Sequence, residues 1–136
     1  PGNFVPLTPN WGYNHRDVAL RIPVSGVKDC RVEHRVSGAD ANPYLVMAAL
    51  VAGVHHGISQ GCDPGEMVPE GLEIEEEITL PRIWSLALDE FDSSAILPQY
   101  LGEDYCRLFG TVRRGECEQF VAQVSNIDYD WYLRAM

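Results

Sequence analysis

Two neighbouring stretches, residues 18–24 (VALRIPV) and 30–36 (CRVEHRV), decide the fold. Both alternate apolar with other residues at a period of two, which is typical of half-buried β-strands. Arg21 faces away from the apolar side of the first strand. The outward face of the second strand carries three charged side chains: Arg31, Glu33 and Arg35. The connection contains a glycine that suits a turn, but spacing alone leaves open whether the two strands pair as a hairpin.

Helical patterns follow these strands along the chain. Asn42, which is followed by proline, is a good N-cap, and the apolar residues 44–56 predict a central, sheltered helix that ends near Gly57. Further amphipathic runs cover residues 83–91 and 102–124. Two strands followed by helices predict an α+β fold, in which antiparallel strands at the N-terminal end are packed by several helices.

Residues 61–71, between the first and second helical patterns, are rich in glycine and proline. Such residues interrupt regular structure, so a surface loop is expected there.

Length and composition limit the class of protein. The chain has 136 residues, enough for one domain or a piece of a larger one, and its 46% apolar content favours a folded chain. The longest apolar run, residues 44–54, is shorter than the roughly 20 residues that a membrane helix needs, and no secretory leader is visible. The four widely spaced cysteines predict reduced and mostly buried thiols, as in a cytoplasmic protein.

The net charge of −10 is distributed unevenly. Residues 1–36 hold five basic and three acidic side chains, whereas the remainder holds 5 basic and 17 acidic ones. A pI near 4.6 argues against nucleic acid or an anionic membrane as a general partner, because such binding needs a basic face. A bound anion is therefore expected near the N-terminal third, which also contains the only lysine, Lys28.

The charged strand faces are the strongest candidates for chemistry. Arg16, Arg21, Arg31 and Arg35 lie within twenty residues of one another, with Glu33 among them. Arginine binds phosphate and carboxylate through paired planar donors, and a nearby carboxylate can hold Mg²⁺ against phosphate oxygens. This set suits phosphoryl transfer. On pattern alone, a solvated sheet face of Arg and Glu pairs is favoured over a phosphate site. The four histidines are expected to be surface or helix-end residues.

Several motifs resemble those of a known family. Residues 14–23 (NHRDVALRIP), 31–35 (RVEHR) and 38–45 (GADANPYL) resemble the C-terminal catalytic signature of glutamine synthetases. Residues 101–109 (LGEDYCRLF) and 129–133 (YDWYL) resemble the end of the same family's chains. The likeness covers almost the whole chain.

The resemblance implies a role for each charged residue. Arg16 would contact the transferring phosphoryl group and Arg35 the γ-carboxylate or acyl phosphate, so these two are the catalytic candidates. Glu33 would be a metal ligand between nucleotide and substrate. The ATP phosphates would be bound by three basic residues: Arg21, Lys28 and Arg31.

The resemblance also implies an activity and an assembly. The full-length protein would be a carbon–nitrogen ligase that uses ATP and Mg²⁺ (or Mn²⁺) to join glutamate to a small amine, and would form a double-ring homo-oligomer. Residues 1–136 would be the C-terminal portion of the catalytic domain, without the N-terminal domain and most of the metal ligands. With Glu33 as the one ligand present, this portion is expected to be inactive alone.

One position departs from ammonia-using members of the family. They carry a glutamate twelve residues before the arginine that Arg16 matches, where this chain has Phe4. An apolar ring cannot bind ammonium by charge or act as a base, but it can line a pocket for a larger amine such as putrescine. The chain therefore resembles the γ-glutamyl-polyamine (γ-glutamylputrescine) synthetase branch. Three alternatives stay open: Phe4 merely packs a loop, the enzyme is an ammonia-using glutamine synthetase, or the chain is a non-catalytic structural or assembly relative.

Overall fold

The computed structural model describes residues 5–24, 26–74 and 78–133. The chain forms two compact units, residues 1–80 and 81–136. Among these described residues, the first unit contains a sheet and one long helix and the second only helices, so the α+β class is confirmed. The elements of the described residues are β1 (Trp11–Tyr13), β2 (Leu20–Ile22), β3 (Glu33–His34), α1 (Pro43–Gln60), α2 (Trp84–Ser93), α3 (Leu97–Leu101), α4 (Glu103–Val121) and α5 (Asn126–Asp128), with a 3-10 turn at Val27–Asp29 and a π-helical turn at Tyr129–Leu133.

The sheet has the order β1-β2-β3. Strands β2 and β3 pair antiparallel, with Arg21 opposite Glu33, so the two patterns of the sequence do form neighbouring antiparallel strands. Both are shorter than the predicted 18–24 and 30–36. Pro23 follows β2 directly and has no amide hydrogen to continue the ladder.

Strand β1 has no counterpart in the predicted pattern and pairs parallel to β2, with Trp11 opposite Leu20. Its sequence, Trp-Gly-Tyr, is too short to show alternation. Gly12 is needed here, because a Cβ at this position would collide with the carbonyl oxygen of Val68 from the loop after α1.

The first helix begins as its sequence predicts. The side chain of Asn42 accepts hydrogen bonds from the amides of Tyr44 and Leu45 at 3.0 and 3.3 Å, and proline occupies the first turn. The helix continues past Gly57 to Gln60 and is followed by Gly61, which has a left-handed φ of 61°. A glycine at this position ends the helix without steric cost, so Gly61 is the C-terminal signal that Gly57 was predicted to be.

The prediction that α1 is sheltered is wrong for the described chain. Ala52 is its one buried residue, and none of the described strands of its own unit packs along its length. The exposed residues follow a helical spacing of three or four and define a stripe, called the α1 stripe: Tyr44, Met47, Val51, Val54 and Ile58.

The second unit is a helical cluster in which α2 and α3 pack against α4. Phe91 of α2 and Phe109 of α4 meet with ring centroids 5.2 Å apart. Arg114 of α4 forms ion pairs with Asp89 and Asp92 of α2 at 2.9 and 2.6 Å. The predicted runs 83–91 and 102–124 match α2 and α4 to within a few residues, whereas α3 is too short to have shown a pattern.

The remaining general predictions have mixed outcomes. Residues 62–70 form the predicted irregular loop. All four cysteines are free; Cys106 and Cys117 are buried, but Cys30 and Cys62 are exposed, so the predicted burial holds for half of them. Among the described residues, no helix is both long and apolar enough to cross a membrane.

Candidate active site

Three of the predicted site residues meet on the sheet. The register places Arg21 of β2 opposite Glu33 of β3. Arg21 Nη2 lies 2.7 Å from Glu33 Oε2, and Arg31 donates from Nε and Nη2 to Glu33 Oε1 at 3.1 and 2.9 Å. Each carboxylate oxygen therefore has its own guanidinium partner. These residues are called the Arg–Glu cluster.

The cluster is partly shielded from water. The side chains of Arg21 and Glu33 are 24% and 27% exposed, and that of Arg31 is 52% exposed. Partial desolvation disfavours the charge on Glu33, but the hydrogen bond from Arg31, the positive charges of both arginines and the hydrogen bond from Arg21 outweigh it. The pKa of the Glu33 carboxyl is therefore lowered from its ordinary value.

The guanidinium groups also retain donors beyond Glu33. Arg21 Nε is buried and has no hydrogen-bond partner in the described structure. Arg31 Nη1 donates weakly to the carbonyl of Asp29 at 3.3 Å. A pair of arginines with a carboxylate between them can bind the oxygens of a phosphate or carboxylate ligand, because guanidinium donors match those acceptors in geometry.

The other predicted residues lie on adjoining segments. Arg16 is exposed on the turn between β1 and β2, and Lys28 is exposed on the 3-10 turn after β2. Arg35 is half-buried just after β3, and its amide donates to the carbonyl of Ala19 at 2.9 Å. That backbone bond connects the Arg35 segment to the turn that carries Arg16. Phe4, the predicted amine-pocket residue, lies outside the described residues.

Sequence reasoning missed the residues that shape the Arg16 turn. Asn14 adopts a φ of 53°, which asparagine tolerates better than most residues, and its side chain accepts a hydrogen bond from the Val24 amide at 2.9 Å. His15 is 4% exposed, although a surface or helix-end position was predicted. The signal that could have found them is the Asn-His pair between two short strands, because asparagine favours a sharp turn.

The site contains the one predicted ligand for a divalent metal, Glu33. Glu33 offers carboxylate oxygens, but no group of three or more acidic, histidine or cysteine side chains suited to a metal lies within the described part of the chain. Mg²⁺ is often held by one or two carboxylates together with substrate phosphates. The residues present therefore fit a single protein ligand beside a phosphate-binding face, and do not form a complete metal site by themselves.

Comparison with known families agrees with this geometry. The family described as glutamine synthetase, catalytic domain, matches residues 1–132. The chain belongs to the glutamine synthetase family. Within the family, this chain is 43% identical over 135 residues to the gamma-glutamylputrescine synthetase PuuA of Escherichia coli strain K12, covering 98% of this chain and 28% of that protein.

A second relative and a solved structure extend the comparison. The chain is 32% identical over 134 residues to the gamma-glutamylethanolamide synthetase GlnA4 of Streptomyces coelicolor, covering 98% of this chain and 28% of the relative. The solved structure titled apo GmaS without ligand shares 28% identity and a TM-score of 0.78, over 96% of this chain and 31% of that one. Other relatives are named glutamine synthetases. The chain thus spans less than a third of the length of each of these proteins.

Proposed function

We propose that this chain is the C-terminal portion, residues 1–136, of the catalytic domain of an ATP-dependent ligase that joins glutamate to an amine. The observation that carries the proposal is the Arg–Glu cluster, in which Arg21 of β2 and Arg31, two residues before Glu33, hold the two oxygens of the Glu33 carboxylate. Membership of the glutamine synthetase family supports the same chemistry.

In the proposed reaction, an oxygen of the glutamate γ-carboxylate attacks the terminal phosphorus of ATP. The bond from that phosphorus to ADP breaks, which gives γ-glutamyl phosphate. The amine nitrogen then attacks the acyl carbon, phosphate leaves with the bonding electron pair, and the extra proton on nitrogen passes to a base. The product is a γ-glutamyl amide.

Positively charged groups would supply most of the rate, because this transfer depends on positioning and on neutralising negative charge. Arg21 and Arg31, with Lys28 nearby, would bind the nucleotide phosphates. Arg16 would contact the phosphoryl group in transfer, and Arg35 the γ-carboxylate. Bound Mg²⁺ (or Mn²⁺) would neutralise phosphate charge, with Glu33 as one of its ligands.

A polyamine such as putrescine is the proposed amine. Phe4 replaces the glutamate of ammonia-using members, and an apolar ring suits the methylene chain of a diamine. The 43% identity to a relative named gamma-glutamylputrescine synthetase supports this choice. Relatives named glutamine synthetases support the alternative, in which ammonia is the amine.

Competition between amines tests the choice. The full-length enzyme is assayed with glutamate, ATP and either putrescine or ammonium, and the γ-glutamyl product is measured by mass spectrometry. We expect higher kcat/KM for putrescine. Phe4→Glu should shift the preference toward ammonium, while Phe4→Leu keeps the pocket apolar and serves as the matched control. A wild-type preference for ammonium would contradict the proposed amine but keep the ligase chemistry.

Substitution of the site residues tests the ligase chemistry itself. Arg16→Ala and Glu33→Ala should each lower formation of γ-glutamyl phosphate, trapped with hydroxylamine, by about 100-fold or more, as removal of a charge-stabilising group usually does. Arg107→Ala is the control, because Arg107 pairs with the exposed Asp104 in the helical unit. Circular dichroism checks the fold of each variant. Unchanged turnover in both site variants would favour a non-catalytic structural or assembly role.

The proposal includes a cytoplasmic double-ring homo-oligomer. Four unpaired thiols suit a reducing compartment, which supports the location. Mass photometry of the full-length protein measures the assembly directly; a monomer would contradict it.

A further inference from the structure

We infer that His15 is a positioning residue that fixes the turn carrying Arg16 by bridging it to the loop after α1. The inference concerns the geometry of Arg16, and its functional meaning rests on the ligase proposed above. Residues 61–74, which connect α1 to the following segment, are called the 61–74 loop.

Both ring nitrogens of His15 are used. Nδ1 lies 3.2 Å from the amide nitrogen of Asp17, and Nε2 lies 2.9 Å from the carbonyl oxygen of Leu72. An amide N–H can only donate and a carbonyl oxygen can only accept. Nδ1 must therefore accept and Nε2 must donate, so the structure assigns a neutral ring with its hydrogen on Nε2.

The 61–74 loop is fastened to β1 at further points. The indole Nε1 of Trp11 donates to the carbonyl of Gly65 at 3.0 Å, and the amide of Val68 donates to the carbonyl of Trp11 at 2.9 Å. These bonds run along the loop toward Leu72. Because the loop is held at these points, the Leu72 carbonyl is a fixed acceptor for His15.

The turn itself is anchored on both sides of Arg16. His15 is 4% exposed and Val18 is fully buried, whereas Arg16 and Asp17 between them are exposed. The amide of His15 also donates to the carbonyl of Tyr13 at 2.7 Å across the sharp turn at Asn14. With its neighbours held in the interior, the backbone of Arg16 has little freedom. The bond from Asp17 to the His15 ring sets the direction in which Arg16 leaves the turn.

A spectroscopic measurement tests the tautomer without any reference to activity. Solid-state NMR of the full-length enzyme labelled with ¹⁵N-histidine should show a ring signal with a protonated Nε2 and an unprotonated Nδ1 that is absent from His15→Asn. The loss of the signal in the variant assigns it to His15. Hydrogen exchange should show a slow amide at Asp17 that becomes faster in His15→Ala. A ring protonated on Nδ1, or an Asp17 amide whose exchange is unchanged in His15→Ala, would overturn the inference.

Kinetics test the effect on Arg16. His15→Ala should lower kcat by about 10- to 100-fold, because small misplacements of a charge-stabilising group are costly, while KM for ATP and glutamate changes less than about threefold. His15→Asn keeps an acceptor where Nδ1 was and should recover most of kcat. His15→Gln offers a donor toward Leu72 but no acceptor for Asp17, and should not recover it. The control is His55→Ala on α1, where the exposed ring lies 3.4 Å from Ser59.

The outcomes separate the two proposals. If the wild-type enzyme forms no γ-glutamyl product, the proposed function fails, and the ring tautomer and amide exchange decide the positioning role alone. If wild type is active and His15→Ala matches it in kcat, the positioning role fails. Should His15→Ala not fold, the contrast between His15→Asn and His15→Gln decides: equal kcat in the two would overturn the inference.

Discussion

At the residue scale, the site depends on a carboxylate shared between two arginines. Exposed ion pairs in isolation add little stability, so the importance of the Arg21–Glu33–Arg31 arrangement is geometric. It holds two guanidinium groups at one place on the sheet. The sequence predicted that Arg31 and Glu33 share a strand face and that Arg21 points outward from its own strand, because strand alternation fixes the direction of each side chain. The pairing partner of each residue could not be predicted, since register depends on the neighbouring strand.

The ionisation of Glu33 offers a test of this arrangement. The pKa of the Glu33 carboxyl is lower in the folded chain than in the unfolded chain. Its ion pairs therefore stabilise the fold at pH values above the pKa that this carboxyl has in the unfolded chain, and this stabilisation is lost as the pH falls through its pKa in the folded chain. We expect ¹³C NMR of the labelled carboxyl to show a midpoint below that of an ordinary glutamate.

Substitution identifies the cause of that shift. Arg31→Ala should raise the pKa of Glu33 toward its ordinary value, since it removes a hydrogen bond and a positive charge. Arg107→Ala, which removes an arginine of the helical unit, should leave the titration unchanged. An unshifted midpoint in wild type would show that the two arginines do not hold the carboxylate in solution.

At the scale of elements, local sequence signals predicted the longer helices but not the shortest strand and helix. The Asn42 cap and the amphipathic runs of α2 and α4 were readable because capping and 3.6-residue periodicity act within one segment. Strand β1 and helix α3 have three and five residues, too few for a period to show. The extension of α1 past Gly57 has a simple cause, since glycine in a helix is tolerated at a modest cost and Gly61 has the left-handed conformation that ends it.

Two glycines of α4 make a matched pair for testing the contact between α2 and α4. A Cβ at Gly110 would lie 2.6 Å from Asp92 Oδ1, whereas a Cβ at Gly115 would meet open space. Gly115→Ala should stabilise the protein by about 0.5–1 kcal/mol, because alanine favours a helix. Gly110→Ala should stabilise it less than Gly115→Ala does, because Asp92 must move and its exposed ion pair with Arg114, worth about 0–1 kcal/mol, is weakened.

Denaturant unfolding measures both changes in the free energy of unfolding. The obstacle at Gly110 is the Asp92 side chain, so Gly110→Ala introduced into an Asp92→Ala background should stabilise as much as Gly115→Ala does. If Gly110→Ala stabilises as much as Gly115→Ala in the wild-type background, the close packing at Gly110 is not present in solution.

At the scale of the whole molecule, the exposure of the α1 stripe is consistent with the small share of its relatives' length that this chain covers. The chain spans 28% of PuuA and of GlnA4, and the stripe is more apolar than a solvated helix face usually is. The apolar composition of α1 led to the prediction of a sheltered helix. Composition indicates that a helix prefers burial, but it does not say which part of a protein covers it.

The chain on its own should therefore behave differently from a full-length ligase. We expect residues 1–136, expressed alone, to bind the dye ANS through the α1 stripe and to form no γ-glutamyl hydroxamate from glutamate, ATP and hydroxylamine. Val51→Lys with Ile58→Lys should reduce dye binding, because both residues lie on the stripe and are 60% and 79% exposed. Replacement of the exposed Gln60 and Ser59 by lysine is the control for added charge. Turnover by this chain alone would contradict the predicted inactivity.

The hydrogen bond between the Trp11 indole and Gly65 has a practical consequence. Trp11 is the one tryptophan of residues 1–80, since the others are Trp84 and Trp131. Replacing those two with phenylalanine would leave a single tryptophan in this chain. The emission maximum of that tryptophan shifts to longer wavelength when its indole ring becomes exposed to water. Detachment of the loop from the indole would then be visible in this chain as a red shift of the emission, in real time and without an added label.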